Sequence, residues 1–219
     1  MLRPSRFPLG LAATAGIALV AAGAVLADNP NKVKIARTAA GNAQARGEVL
    51  RRSDLGKGWF GGFTKPDLVG LQGCSYRPKQ SDLVVIGAAE TAWDKPTTYE
   101  FDSEAEVLKT AAMVGRDWRR SVIAPQVLPC LRKVFKKAVE PGGKVVSVRR
   151  VTFPRVASLT RAFRFVAKFA EGRFESDFVA MASGRNELAL TLVSSGGKVT
   201  WLRAQELRLA RLLAHRMHS

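Results

Sequence analysis

The sequence has 219 residues with two histidines, two cysteines and a formal net charge of +17. This length fits one domain with a substantial core, and the shortage of histidine argues against Ser-His-Asp and Cys-His enzymes, which need a positioned imidazole. The excess of basic residues draws anionic partners in a salt-dependent way, unless it serves only to keep the domain soluble.

The N-terminal segment has the profile of an export signal. Two arginines precede an uncharged run from Pro8 to Ala27, which ends before Asp28. We therefore predict a signal peptide over residues 1–27 and a single extracytoplasmic domain over residues 28–219, with a net charge of +15. The alternative is an uncleaved, weakly hydrophobic anchor, which leaves the same domain outside the membrane.

Two helices and two strands are predicted in the first half of the domain. Apolar residues at helical spacing predict a helix over 31–55 that stops at Gly56, followed by a glycine-rich stretch. The β-branched run over 82–92 and the segment 97–101 predict a hairpin of two strands. Ser103 and Glu106 then fit a capping box, which predicts a second helix beginning there.

A short helix over 127–135 and an antiparallel meander are predicted next. The strand-like segments cover 144–153, 159–170, 174–182 and 187–194. A two-residue turn after Ala170 would pair Phe169 with Phe174 on the core side and Lys168 with Glu175 on the solvent side. This register predicts apolar pairs inside and an ion pair outside.

The closing segment, from about 199 to 217, predicts an amphipathic helix with Leu209 and Leu213 on its apolar side. Strands in succession, with helices before, between and after them, indicate the α+β class. The predicted fold is a single antiparallel sheet with flanking helices and one disulfide.

The two cysteines, Cys74 and Cys130, both lie in the predicted domain. An isolated pair in an exported protein predicts a disulfide, and its spacing differs from the Cys-x-x-Cys of redox sites. The bond is therefore expected to be structural, stabilising the fold by roughly 4 kcal/mol in the chain-entropy model.

No motif in the sequence predicts a metal or cofactor site. Gly56 to Gly61 matches G-x-G-x-x-G, but it ends a predicted helix, whereas a dinucleotide site must open one. His215 and His218 lie near the chain end, where helices fray, and no third ligand accompanies them.

Basic residues on the predicted strands and the closing helix form a candidate anion-binding surface. They are Arg149, Arg150, Arg164, Arg203, Arg208 and Arg211. Scattered solubilising charge is the alternative interpretation. Catalysis by carboxylate side chains is a further possibility, although solvated or structural roles are enough to explain the acidic residues that could perform it. These are Asp94, Glu100, Asp102, Glu171, Glu175 and Asp177.

The layout resembles the sensor-like domains secreted by actinobacteria, the family of the PknH-type extracellular domains. The segments that carry the resemblance are Val49 to Trp59, Cys74, Ser81 to Glu90, Cys130-Leu131 and the closing strand and helix. The resemblance implies an antiparallel sheet with helices and a sensing or ligand-binding role without established catalysis. The sequence departs from the kinases of this family in having no kinase domain and a single cysteine pair.

We therefore expect a non-enzymatic binding module, associated with the cell envelope, that recognises an anionic envelope polymer or lipid headgroup. The alternatives are a carboxylate-dependent envelope hydrolase and a structural partner of another envelope protein. A nucleic-acid partner is disfavoured because no aromatic residues are interspersed among the basic positions. Membrane contact is expected only through an uncleaved N-terminal segment, and no cofactor or metal is expected.

Overall fold

The computed structural model describes residues 32–66, 68, 75–76, 78–96, 99–140, 142–170, 172–195 and 199–218. The predicted signal peptide and Cys74 lie outside these residues. None of the described helices has the length and apolar character that a membrane span requires.

Eight strands and five α-helices are present in the described ranges. The strands are β1 (Lys34–Ile35), β2 (Phe60–Thr64), β3 (Val84–Lys95), β4 (Tyr99–Leu108), β5 (Gly143–Val151), β6 (Leu159–Phe169), β7 (Gly172–Ser183) and β8 (Asn186–Ser195). The helices are α1 (Ala39–Glu48), α2 (Arg52–Leu55), α3 (Ala111–Asp117), α4 (Val127–Val139) and α5 (Val199–Arg216), and a π-helical turn (Trp118–Val122) continues α3.

All eight strands form one sheet in the order β1-β3-β4-β8-β7-β6-β5, and β2 pairs with β3 on the same edge as β1. The short pair of β1 and β3 is parallel, and the other pairs are antiparallel. The predicted α+β class is therefore confirmed, with the correction that the sheet is mixed rather than purely antiparallel.

Helices cover both faces of the sheet. On one face, the α5 face, Val49 and Leu50 pack with Leu209 and Leu213 against residues such as Phe101. On the other, the α4 face, the apolar sides of α3 and α4 pack against β5 to β8. Because both faces are covered, inward-facing residues occur at odd and even positions of the same strand.

The predicted helix beginning at Ser103 is wrong, since residues 99–108 form strand β4. A capping box is a local motif, and here the longer period-two pattern prevails. Phe101, Ser103 and Ala105 alternate along the strand and are all buried on the α5 face. The helix starts later, at α3, where the Thr110 hydroxyl accepts a hydrogen bond from the backbone N–H of Met113 at 3.3 Å.

The predicted helix over 31–55 is divided into β1, α1 and α2. Its N-terminal boundary is set by Thr38, whose hydroxyl accepts from the backbone N–H of Gly41 at 2.9 Å. A Cβ on Gly41 would collide with the carbonyl oxygen of Ile86, so this glycine lets α1 lie directly on β3. The predicted stop at Gly56 is confirmed, with φ 85°.

The predicted register of β6 and β7 is wrong by two residues. Phe169 pairs with Gly172, not Phe174, and Lys168 lies opposite Arg173. The expected solvent-facing pair of Lys168 and Glu175 does not form, because α5 covers this face and Glu175 is only 7 % exposed. Glu175 instead meets Arg164, with 3.1 Å between Oε1 and Nε.

The closing helix, predicted from about 199 to 217, is present as α5 and ties the end of the chain to its beginning. The Arg216 guanidinium donates to both carboxylate oxygens of Asp54, at 2.7 and 2.8 Å, and to the Val49 carbonyl at 3.0 Å. Leu209 and Leu213 are fully buried, as predicted. The last helix therefore completes the core that α1 begins.

Candidate functional site

An open surface pocket of about 570 Å³ lies at the start of α4, and most of its lining residues are exposed. It is lined by Ser75, Tyr76, Pro125, Gln126, Pro129, Cys130 and Lys133. The Tyr76 hydroxyl donates to the Arg120 carbonyl at 2.7 Å and so fixes one wall. The pocket thus combines hydroxyl and amide groups, proline surfaces and one cation.

The outer side of α4 carries four exposed cations, which we call the basic stripe. Its members are Arg132, Lys133, Lys136 and Lys137. Residues one, four and five apart share one side of a helix, and the opposite side is buried against the sheet. No ion pair involves these four cations in the described part of the chain. Lys133 belongs to both the stripe and the pocket.

Two arginines connect the stripe and the pocket to β5. Arg132 donates from Nε to the Val148 carbonyl at 3.1 Å. Arg150, one of the predicted anion-binding residues, donates to the carbonyls of Ile123 and Ala124 at 3.3 and 3.5 Å. Ala124 directly precedes Pro125 of the pocket, so Arg150 contacts the backbone one residue before the pocket lining.

The other predicted arginines lie on the α5 side. Arg149 and Arg164 are directly paired across β5 and β6, and Arg203 reaches to 3.8 Å from Glu175, which Arg164 also binds. Arg208 and Arg211 are exposed on α5. The structure therefore brings Arg149, Arg164 and Arg203 to one face and separates Arg150 from them, and anion binding by this set stays a prediction.

Arg164 is neutralised within a buried network. It donates from Nε to Asp177 Oδ1 at 2.6 Å and through Nη2 to the other oxygen of the same carboxylate. Burial, followed by the charge of Asp177, raises the pKa of Glu206 to about 8. Glu206 therefore carries a proton near neutral pH, which its side chain shares in a hydrogen bond with Asp177.

A second candidate site lies on the α4 face, where carboxylates occupy alternate positions of β4. They are Glu100, Asp102, Glu104 and Glu106, and they are flanked in register by Glu90 and Asp94 on β3 and Glu187 on β8. We call these seven residues the carboxylate row. Seven of the 18 acidic residues of a strongly basic protein therefore point to one face of neighbouring strands.

Burial raises the pKa values of four members of the carboxylate row. Burial and the adjacent Glu100 raise the pKa of Asp102, and burial and Asp94 raise the pKa of Glu100. Burial raises the pKa of Glu106 to about 7, with a further contribution from Asp117 of α3. Burial, followed by Asp117, also raises the pKa of Glu187 well above its usual value.

Glu100 and Asp102 form a carboxyl–carboxylate pair. Their side chains are hydrogen-bonded to each other, which requires a proton on one of them, and Glu100 is only 5 % exposed. No lysine or arginine forms an ion pair with Glu100, Asp102, Glu106 or Glu187 in the described ranges. Such a pair can act as an acid and a base at once.

The sequence interpretation missed the basic stripe and part of the carboxylate row. The spacing of Arg132, Lys133, Lys136 and Lys137 on a predicted helix was the available signal for the stripe. Glu90, Glu104, Glu106 and Glu187 are not among the predicted acidic candidates. For Glu104 and Glu106 the reason is that the second half of β4 is predicted as a helix, on which alternate residues do not share a face.

Cys130 is buried in α4 and is disulfide-bonded. Its predicted partner, Cys74, lies outside the described residues, so the pairing of the two stays a prediction. Among the described side chains, no group of His, Cys, Asp and Glu has the arrangement of a metal site.

Two solved structures are similar to this chain in fold. The extracellular domain of PknH from Mycobacterium tuberculosis matches 81 % of this chain and 96 % of its own, with a TM-score of 0.47 and 10 % identity. An uncharacterized protein from Mycobacterium smegmatis, the Rv0999 ortholog, matches 75 % of this chain and 92 % of its own, with a TM-score of 0.45 and 14 % identity.

No protein-family model and no curated protein matches the sequence. The resemblance to PknH-type extracellular domains is confirmed as a structural similarity at low identity. At these scores the similarity carries no information about ligand or activity.

Proposed function

We propose that the domain is a non-enzymatic, extracytoplasmic binding module of the sensor-like type, whose ligand is an anionic component of the cell envelope. One observation carries this proposal: the pocket at the start of α4 contains Lys133 of the basic stripe and lies beside Arg150. The export profile of residues 1–27 supports the location outside the cytoplasmic membrane.

The pocket suits a ligand that joins an anionic group to a less polar body. Lys133 and Arg150 supply positive charge, while Ser75 and Gln126 supply hydrogen-bonding groups. The proline rings of the lining offer apolar contact to a sugar ring or a glycerol backbone. An envelope polymer and a lipid headgroup share this chemistry, and a polymer would also reach the rest of the basic stripe.

The test is a thermal-shift series with dextran sulfate, glycerol phosphate and neutral dextran at low and high salt. The charge reversals Lys133→Glu and Lys137→Glu, made together, should weaken the binding of the anionic probes about tenfold, the effect of losing roughly one charge-assisted hydrogen bond. The matched control reverses Lys144 and Lys168, two exposed lysines that are paired across β5 and β6 and lie outside the basic stripe.

The outcomes separate a specific site from general charge. Stabilisation by one anionic probe that persists in part at high salt, and that the α4 variant alone reduces, supports the proposal. Shifts that both variants reduce equally, or that disappear entirely with salt, contradict it, because they reflect net charge rather than the pocket.

The carboxyl–carboxylate pair of Glu100 and Asp102 favours a second candidate, a carboxylate-dependent envelope hydrolase. Two carboxyl groups that share one proton can supply the general acid and the general base of a hydrolysis, and burial raises the pKa of both groups here. The test measures release of reducing ends from envelope polysaccharide. Release that Glu100→Gln and Asp102→Asn abolish, and that Glu140→Gln on the surface preserves, would favour the hydrolase over the binding module.

A further inference from the structure

The β1–β2 edge of the sheet exposes large apolar side chains. Phe60 and Phe63 of β2 are 60 % and 63 % exposed, and Ile35 of β1 is 56 % exposed. Phe60 and Phe63 are three positions apart with Gly61 and Gly62 between them, so their rings project from opposite faces of this edge strand. We call Ile35, Phe60 and Phe63 the aromatic edge.

The segment that contains the aromatic edge is rich in positive charge. Residues 32–66 contain eight lysines and arginines, all exposed: Lys32, Lys34, Arg37, Arg46, Arg51, Arg52, Lys57 and Lys65. The side chains of the two acidic residues of this segment are buried: Glu48 is 2 % exposed, and the Asp54 side chain is 7 % exposed and bound to Arg216. The first 35 described residues therefore present cations and no exposed carboxylate.

The cations lie next to the rings. The Arg46 guanidinium lies 5.8 Å from the centre of the Phe63 ring, Lys57 precedes β2 and Lys65 follows it directly. Asp94 of β3 lies opposite Phe60 and is the exposed carboxylate that the paired strand contributes to this edge. Exposed rings with lysine and arginine at their rim are the pattern of proteins that lie on anionic bilayers.

From these contacts we infer that the aromatic edge docks on an anionic lipid bilayer, with Phe60 and Phe63 entering the headgroup region and Arg46, Lys57 and Lys65 meeting lipid phosphates. The chemistry favours a bilayer over a soluble polymer, because a polymer chain offers no apolar layer for the rings. It also favours a bilayer over an added protein strand, because β2 has five residues and Gly61 has φ 137°.

The length of chain before β1 agrees with this orientation. The apolar run predicted from the sequence ends at Ala27, and β1 begins at Lys34. Seven residues reach at most about 25 Å, so a retained run would hold the β1–β2 edge near the bilayer surface. The inference extends the sequence-based expectation, which placed membrane contact at the N-terminal segment alone.

The test is hydroxyl-radical footprinting of the full chain, read by mass spectrometry. Vesicles containing phosphatidylglycerol should slow the oxidation of Phe60 and Phe63, whereas vesicles of phosphatidylcholine alone should not. Val146, which is 55 % exposed on the opposite edge strand β5, is the internal control and should be oxidised equally in both samples.

Two variants make the test specific. Reversing Lys57 and Lys65 to Glu should weaken the protection at least 25-fold in vesicle concentration, since each cation near an anionic surface contributes about fivefold. Reversing Lys144 and Lys168 to Glu is the charge-matched control and should leave the protection unchanged, because these exposed lysines are paired across β5 and β6, away from β2 and outside the basic stripe. Lys133→Glu with Lys137→Glu, the variant that tests the function proposed above, separates a failure of that function from a failure of this inference.

A second pair of substitutions, Phe60→Ser with Phe63→Ser, tests the rings without changing charge. It should weaken vesicle binding about tenfold and leave dextran sulfate binding intact. Equal protection on both vesicle types, or protection without vesicles that grows with protein concentration, would overturn the inference. The second of these results would identify another copy of the chain as the occupant of this edge.

Discussion

The two faces of the sheet bury acidic side chains in different ways. On the α5 face, Asp177 and Glu175 both contact Arg164, whose side chain is 10 % exposed. On the α4 face, Glu100 and Asp102 contact each other. A buried carboxylate beside an arginine keeps its charge, whereas one beside another carboxylate keeps a proton. The stability of the α5 face should therefore depend on its arginine, and the stability of the α4 face should depend on pH.

Removing the arginine should give the largest effect. Arg164→Met leaves Asp177 and Glu175 buried without their central cation, so the free energy of unfolding should fall by about 3 to 5 kcal/mol. Urea denaturation measures it. The control is Arg149→Met, an exposed arginine directly opposite on β5, which should cost less than about 0.5 kcal/mol. Equal costs for the two variants would show that Arg164 is not the centre of this network.

The carboxylate row should make stability fall as pH rises. Four of its members, Glu100, Asp102, Glu106 and Glu187, have folded pKa values above the unfolded ones. Their stabilisation is therefore fully present below about pH 4.5 and is lost as pH passes the folded value, which is about 7 for Glu106. Between pH 5 and pH 9, Glu106→Gln should therefore remove up to about 3 kcal/mol of this loss. Denaturant midpoints across pH check it, with the exposed Glu140→Gln as the control. If Glu106→Gln and Glu140→Gln show the same dependence of stability on pH, the raised pKa of Glu106 is not the cause of the loss.

Removing one member of the carboxyl pair should have a smaller effect. In Asp102→Asn, the amide can donate to Glu100 without a proton, so the protein should be about 1 to 2 kcal/mol more stable than wild type at pH 9. Thermal melts at pH 5 and pH 9 measure the gain. Asp94→Asn, which removes an exposed charge near Glu100, should gain less. A destabilised Asp102→Asn variant at pH 9 would mean that the pair does not share a proton.

The smallest effect is expected at Glu206, which belongs to the α5 face but behaves like the carboxylate row. Glu206→Gln keeps a donor to Asp177 and should change the free energy of unfolding at pH 7 by less than about 1 kcal/mol. Glu206→Ala removes the donor and should cost about 1 to 3 kcal/mol. If the glutamine variant is as unstable as the alanine variant, the hydrogen bond to Asp177 is not what holds this position.

The last third of the fold was predictable because its signals are local. The bounds of β6 and α5 differ from the predicted bounds by one residue at most, since apolar spacing and glycine or proline breaks occur within each segment. The register of β6 and β7 was not predictable in this way. It depends on α5, which covers the side of Glu175 that the sequence pattern assigns to solvent.

The candidate sites were predictable only in part, for a physical reason. Arg150 was among the predicted anion-binding residues, but its place beside the pocket depends on contacts with Ile123 and Ala124, which are distant in sequence. Part of the carboxylate row was not predicted, because acidic residues are rarely buried and a run such as Ser103 to Glu106 therefore suggests an exposed helix start. Only the long alternation with Phe101 indicates a strand.

The position of α5 has a consequence for how the chain reaches its native state. This helix is the last element of the described fold, and its 18 residues supply Leu209 and Leu213 to the core that α1 begins. The ion pair of Arg216 with Asp54 joins residues 162 positions apart, so it closes only after nearly the whole chain is available. A chain interrupted before Val199 would leave one face of the sheet uncovered, with inward-facing leucines such as Leu190 open to water. Proteases should therefore degrade such truncated chains as they degrade unfolded ones, even though all eight strands are present.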